Sequence, residues 1–363
     1  MKVLVDPQIF NHQSFGGISR LFIEILKYKK YKNFNINLDC TVYYTKNIHY
    51  KHNYKFKNCL FNLLKPLSSY LLDLNLKITC RKISKNNYDI FLPSYYDPYF
   101  IKNINKCKII LTVYDMIHEL YPSDFIDSQI IIANKKRLIY KSEKIIAISE
   151  NTKRDILNFY PDVDPKKIEV IYLSHSLDIS LLNSNRIINK NYILYVGNRN
   201  GYKNFIWLYE NIKSWLIFNN INLVCAGGGE FTVEEKSHFN NDGMTAYLKH
   251  YDFKENELSN LYKNAIAFIF PSKYEGFGIP VLESMSCGCP TILPKTSSFP
   301  EIAAEAGIYF SLESTNSLIN ALDLLMKNTE FKNKYIKLGI DQSQKFKWEN
   351  TITNYIKILK SAV

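Results

Sequence analysis

The sequence predicts an α/β protein of two doubly wound, parallel-sheet domains. Short apolar runs alternate with helix-like segments, as parallel sheets covered by helices on both faces require. This alternation occurs twice, on either side of a polar, strand-poor stretch at residues 178–191. A chain of 363 residues, at roughly 100–200 per domain, is long enough for two such units.

The elements follow in order. Residues 3–5, 109–113, 145–148 and 170–173 read as strands buried on both faces in the first half. Residues 193–196, 223–226, 267–270 and 291–293 repeat the pattern in the second. Residues 19–26 and 258–264 are helical segments between them. The first domain is expected over residues 1–185, the second over 186–345, and a terminal helix over 346–363. Two doubly wound domains would place a ligand cleft between the carboxyl ends of their sheets.

Composition narrows the class. Apolar residues make up 46% of the chain, which excludes a disordered protein, and 13 Gly with 12 Pro exclude a collagen-like one. No stretch of about 18 uncharged apolar residues occurs, so no transmembrane helix is expected. Asp6 comes too early for a signal-peptide apolar region. Seven cysteines, an odd number with no paired framework, read as reduced thiols of a cytosolic protein. The net charge is +12, unevenly spread: residues 1–185 hold 27 Lys+Arg against 17 Asp+Glu, and the remainder 19 against 17. Such asymmetry suits an anionic partner for the first half, or reflects lysine drift in an AT-rich genome. Residues 59–78, rich in Leu and flanked by lysines, read either as an amphipathic helix on an anionic membrane or as a core helix broken at Pro66.

The strongest motif is Pro271-Ser-Lys-Tyr-Glu275-Gly-Phe-Gly-Ile-Pro-Val-Leu-Glu283. A buried strand enters a loop in which Gly276 and Gly278 let backbone approach a ligand. A helix then starts near Pro280, where its free N–H groups suit a phosphate. Glu275 and Glu283 are candidate ligands for the paired hydroxyls of a ribose or hexose. A second strand–glycine–helix motif, Gly197-Asn-Arg199-Asn-Gly201-Tyr-Lys203-Asn204, carries two cations that suit a diphosphate. Asp162-Val-Asp164 reads as a Pro-bounded turn, not a metal signature, and Cys287-Gly-Cys289 has too few partners for zinc.

Together these motifs resemble glycosyltransferase family 4, retaining transferases of GT-B fold with two Rossmann-like domains facing a central cleft. Phe15-Gly16-Gly17-Ile-Ser-Arg20 resembles that family's glycine-rich first loop. Thr112-Val-Tyr-Asp115-Met-Ile-His118 resembles its acidic mid-domain motif, and Ile148-Ser-Glu-Asn-Thr-Lys-Arg-Asp155 the segment closing the first domain. Ala226-Gly227-Gly228-Gly229, Ser298-Phe-Pro-Glu301 and Phe346-Lys-Trp348 fit as well. The wording is similar to bacterial mannosyltransferases of O-antigen and exopolysaccharide assembly.

The resemblance implies a nucleotide diphosphate sugar as donor, GDP-mannose first and a UDP-hexose second. It implies a glycan or glycolipid acceptor bound by the first domain, with no metal and no further cofactor. Arg199 and Lys203 would hold the diphosphate, Glu283 the ribose, and Glu275 the donor sugar. Gly276, Phe277, Gly278 and Ile279 would contact sugar and phosphate, and Gly16 and Gly17 would close over the diphosphate. On this reading Glu275→Ala and Arg199→Ala abolish transfer with the fold intact. Where many members carry His before the motif's Asp, this chain has Tyr114, so either Tyr114 or His118 supplies that contact. The expected setting is the cytoplasm, peripheral to the inner membrane face. A nucleotide-sugar epimerase or hydrolase and a non-catalytic binding protein are the alternatives. A nucleic-acid binder is disfavoured by dispersed charge and the absence of a recognised motif.

Overall fold

The computed structural model describes residues 1–27, 36–53, 67–177, 186–253 and 257–363. It divides into two compact units, Met1–Leu173 with Trp348–Val363, and Ser174–Lys347. The units part at residue 173, twelve residues before the boundary expected from the polar stretch. Ser174 already belongs to the second unit, where its hydroxyl donates to the Phe346 carbonyl at 2.8 Å.

The first unit holds strands β1 (Lys2–Val5), β2 (Asn37–Asp39), β3 (Ile90–Leu92), β4 (Lys108–Val113), β5 (Lys144–Ala147) and β6 (Ile168–Val170). All pair in parallel, in the order β2-β1-β3-β4-β5-β6. The second unit holds β7 (Tyr192–Val196), β8 (Asn222–Ala226), β9 (Leu248–Tyr251), β10 (Phe268–Ile269), β11 (Thr291–Pro294) and β12 (Gly307–Phe310). These too are parallel, in the order β12-β11-β10-β7-β8-β9. The doubly wound class read from the sequence is therefore present twice.

Central strands such as β4, β7 and β8 are apolar runs because both faces are covered: Ile110, Leu111, Ile193, Leu194, Leu223 and Val224 are fully buried. Each such side chain contributes about 1.5–3 kcal/mol. Strands β2, β3, β9 and β12 were absent from the sequence reading. Two of them, β2 and β9, are part-solvated sheet edges, where the apolar signal is diluted, and β3 is only three residues long.

The terminal helix Trp348–Ser361 packs on the first unit. Its Tyr355 hydroxyl lies 3.1 Å from that of Thr112, and Lys108 Nζ donates to the Ala362 carbonyl at 2.7 Å. Of the segment 59–78, residues 59–66 lie outside the described ones. The rest runs from the exposed Leu67 into the helix Ser68–Ser84, which buries Asn75, Thr79 and Ile83 and leaves Tyr70 exposed. Among the described residues no helix is long and apolar enough to cross a membrane. Asp164 caps a short 3₁₀ turn through the Lys166 amide at 2.9 Å, so that part of the Asp-x-Asp motif is turn chemistry.

Candidate functional site

In the second sheet the chain winds outward from β7 to β8 and β9, then returns to the other side of β7 with β10. The strand order reverses between β7 and β10, and ligands of open α/β sheets bind beyond the carboxyl ends of strands at such a point. The loops leaving these two strands are the two motifs singled out by sequence.

They are joined directly. The Lys273 amide donates to the Tyr202 carbonyl at 2.8 Å. Lys203 Nζ donates to Glu275 Oε1 at 2.6 Å, and both side chains are largely buried. Burial alone would push the Lys203 ammonium down, but Glu275 beside it more than offsets this, so Lys203 is held above the ordinary lysine range. The Phe270 and Tyr202 rings lie about 5 Å from the same ammonium.

Ser297, which the sequence reading did not single out, and Ser298, first residue of the Ser298-Phe-Pro-Glu301 motif, hold the glutamate loop. Ser297 Oγ receives the Glu275 amide at 3.0 Å and donates to the Glu275 carbonyl at 2.5 Å. The Ser298 hydroxyl is shared between the carbonyls of Glu275 and Phe277, at 2.9 and 3.0 Å. Gly278, at φ 96°, then turns the chain into the helix Ile279–Ser286, with Pro280 in its first turn. Gly276, Phe277 and Gly278 are buried and Ile279 half-buried. Glu283, within that helix, accepts from the buried Tyr262 hydroxyl at 3.3 Å.

Arg199 stands apart from this group. Its Nε and Nη2 donate to Glu235 at 2.7 and 3.1 Å. Nη1 donates to the carbonyls of Gly229 and Gly227, at 3.0 and 3.4 Å, and Nη2 to that of Glu230 at 2.9 Å. Glu235 lies 36 residues from Arg199; its signal was the Thr232-x-x-Glu235 capping box that opens the helix Val233–Asn241.

Gly16, Gly17, Asp115 and His118 lie in the first unit, on the carboxyl side of its sheet. The Gly16 carbonyl accepts from Ser19 Oγ and the Arg20 amide, and Gly17 opens the helix Gly17–Lys27. Asp115 Oδ1 accepts from the Ile117 amide at 3.1 Å. His118 is buried with its ring 4.4 Å from that of Phe125, and Nδ1 has no partner among the described residues. Burial depresses its pKa, opposed by Asp115. The Tyr114 hydroxyl donates to the Ser94 carbonyl at 2.9 Å.

Comparison with known proteins places these observations. Residues 180–342 match the family model described as glycosyl transferases group 1. The O-antigen chain mannosyltransferase RfbU of Salmonella typhimurium is 29% identical over 219 residues, 58% of this chain and 59% of that protein. The O-antigen chain mannosyltransferase B of Escherichia coli is 31% identical over 119 residues, 33% of this chain and 31% of that one. The chain thus spans only part of the length of these relatives. Among solved structures, sucrose-phosphate synthase from Thermosynechococcus elongatus superposes with a TM-score of 0.73 over 99% of this chain and 98% of its own, at 14% identity. Anabaena HepE in complex with UDP-glucose gives 0.71, over 99% of this chain and all of that one, at 14% identity. Residues 180–342, with the Lys203–Glu275 pair at their sheet's reversal point, belong to the glycosyl transferases group 1 family, and the chain that carries them has the GT-B fold.

Proposed function

We propose that this protein is a retaining, metal-independent glycosyltransferase that moves mannose from GDP-mannose to a hydroxyl of a lipid-linked or growing polysaccharide. The observation that carries the reading is the Lys203–Glu275 pair at the reversal point of the second sheet. The two O-antigen mannosyltransferases among the relatives support mannose as the sugar. A diphosphate arriving there meets an ammonium already held in its charged form, which stabilises the negative charge that grows as the leaving group departs. Glu275 faces donor-sugar hydroxyls and Glu283 the ribose, while amides at the start of the helix Ile279–Ser286 face phosphate. The departing diphosphate takes the proton of the attacking hydroxyl, and no protein nucleophile is required.

The acceptor belongs to the first unit, whose basic surplus fits a glycolipid on an anionic membrane, each lysine near that surface contributing about 1 kcal/mol. On this reading the protein works in the cytoplasm as a peripheral membrane protein. HepE, solved with UDP-glucose, favours a second reading with a UDP-hexose donor at the same site.

The test is thermal unfolding with GDP, UDP, ADP, CMP and dTDP in turn. A nucleotide at 100 times its Kd stabilises by about 2.7 kcal/mol. Stabilisation by GDP alone is expected, and by UDP alone would replace the donor. No response to any nucleotide would overturn the site. Transfer from GDP-mannose in the presence of EDTA, with the product anomer read by NMR, checks stereochemistry and metal independence.

A further inference from the structure

We infer that Arg199 is a positioning residue: it turns the carbonyls of the 227–230 loop inward so that the loop's amide N–H groups face the anionic part of the donor. This rests on the donor reading above. An arginine has five N–H donors, and here they are spent on Glu235 and on the carbonyls of Gly227, Gly229 and Glu230. The Arg199 side chain is only 3% exposed, so a ligand meets the loop and not the guanidinium.

The loop is shaped for this. Gly227, Gly228 and Gly229 have φ of 72°, 72° and 78°. Three successive left-handed residues make a turn with carbonyls on one side and N–H groups on the other. The carbonyl side is buried on Arg199. Gly228, Gly229 and Glu230 are exposed, and their N–H groups meet no acceptor among the described residues. The loop leaves β8, next to β7 in the sheet, and packs on the β7 loop so closely that a Cβ at Gly228 would lie 2.3 Å from the Gly197 carbonyl oxygen. Glu235 completes the hold: besides Arg199 it accepts from the Thr232 amide at 2.8 Å.

The test uses Arg199→Lys, which keeps the charge but not the five-donor fork, and Glu235→Gln, which keeps size but removes the countercharge and replaces one of the two accepting oxygens by a donating NH2. Amide exchange at Gly227, Thr232 and Glu235 is measured without ligand, and GDP and UDP binding by calorimetry. Faster exchange at these amides in both variants is expected, with β7 unchanged. Nucleoside-diphosphate binding should weaken by about tenfold, as for residues sharing one network, and the loss should appear mainly in the KM for donor. Unaltered exchange would overturn the hold on the loop whatever the binding. Binding by Arg199→Lys within about twofold of the parent, with Glu235→Gln unaffected, would overturn the link from loop to donor. Faster exchange in both variants of a protein that binds no nucleoside diphosphate would leave the hold standing and fell the donor reading instead.

Discussion

Lys203 and Glu275 are each largely buried and each other's charge partner. Removing one leaves a lone, largely buried charge, a cost of about 3 kcal/mol, whereas removing both leaves none. Lys203→Ala and Glu275→Ala are therefore each expected to be less stable than the double variant, measured by urea denaturation. Transfer by Lys203→Ala should fall at least ~100-fold, the scale on which one charge-stabilising donor contributes. The pH dependence has a definite sign. Because the folded-state pKa of Lys203 lies above its ordinary 10.5, the pair's contribution is complete below that value and is lost only as pH rises through the raised one. The stability gap between the parent and the double variant should stay flat from pH 7 to about 10.

Elements decide what a residue is able to do, and the glycine loop after β8 shows it. Gly228 and Gly229 share a left-handed backbone, so alanine strains both, at about 1–2 kcal/mol each. Around Gly229 the space is open, but at Gly228 the new carbon meets the Gly197 carbonyl oxygen at 2.3 Å. Gly229→Ala should lower stability by about 1–2 kcal/mol and Gly228→Ala by clearly more, read from denaturation midpoints at equal slope. Arg199 belongs to the same element. Its replacement by alanine was expected from the sequence to silence transfer with the fold intact. The structure instead makes it the loss of a buried ion pair and three carbonyl contacts, so Arg199→Ala should also lower the unfolding midpoint.

In the whole molecule, the chain returns to its first unit at the end. Ile352, Tyr355, Ile356 and Leu359 of the helix Trp348–Ser361 are at most 3% exposed. At about 1.5–3 kcal/mol per side chain, their removal takes away more than a marginally stable unit can spare. Deletion of residues 348–363 should therefore unfold the first unit and abolish transfer. The nucleotide-dependent stabilisation of the second unit should persist, as calorimetry with two resolved transitions would show.

The class of fold, and the two strand–glycine–helix loops that lie at the reversal point of the second sheet, are legible in the amino-acid sequence. Strands buried on both faces are written as unbroken apolar runs, and a glycine between strand and helix marks a close backbone approach wherever it occurs. Hence β4, β5, β7 and β8 were legible, as were the loops of Lys203 and Glu275. Strands β2 and β9 were not, because these edge strands are part-solvated and their pattern depends on what lies beside them. The different partners of the two cations, by contrast, are set by the tertiary fold. Arg199 and Lys203 sit four residues apart on one loop and look alike in sequence. One closes on Glu235 and the glycine carbonyls, the other on Glu275. Those partners are brought in by β8 and β10, from opposite sides of β7, and long-range pairing of that kind has no local signal to read.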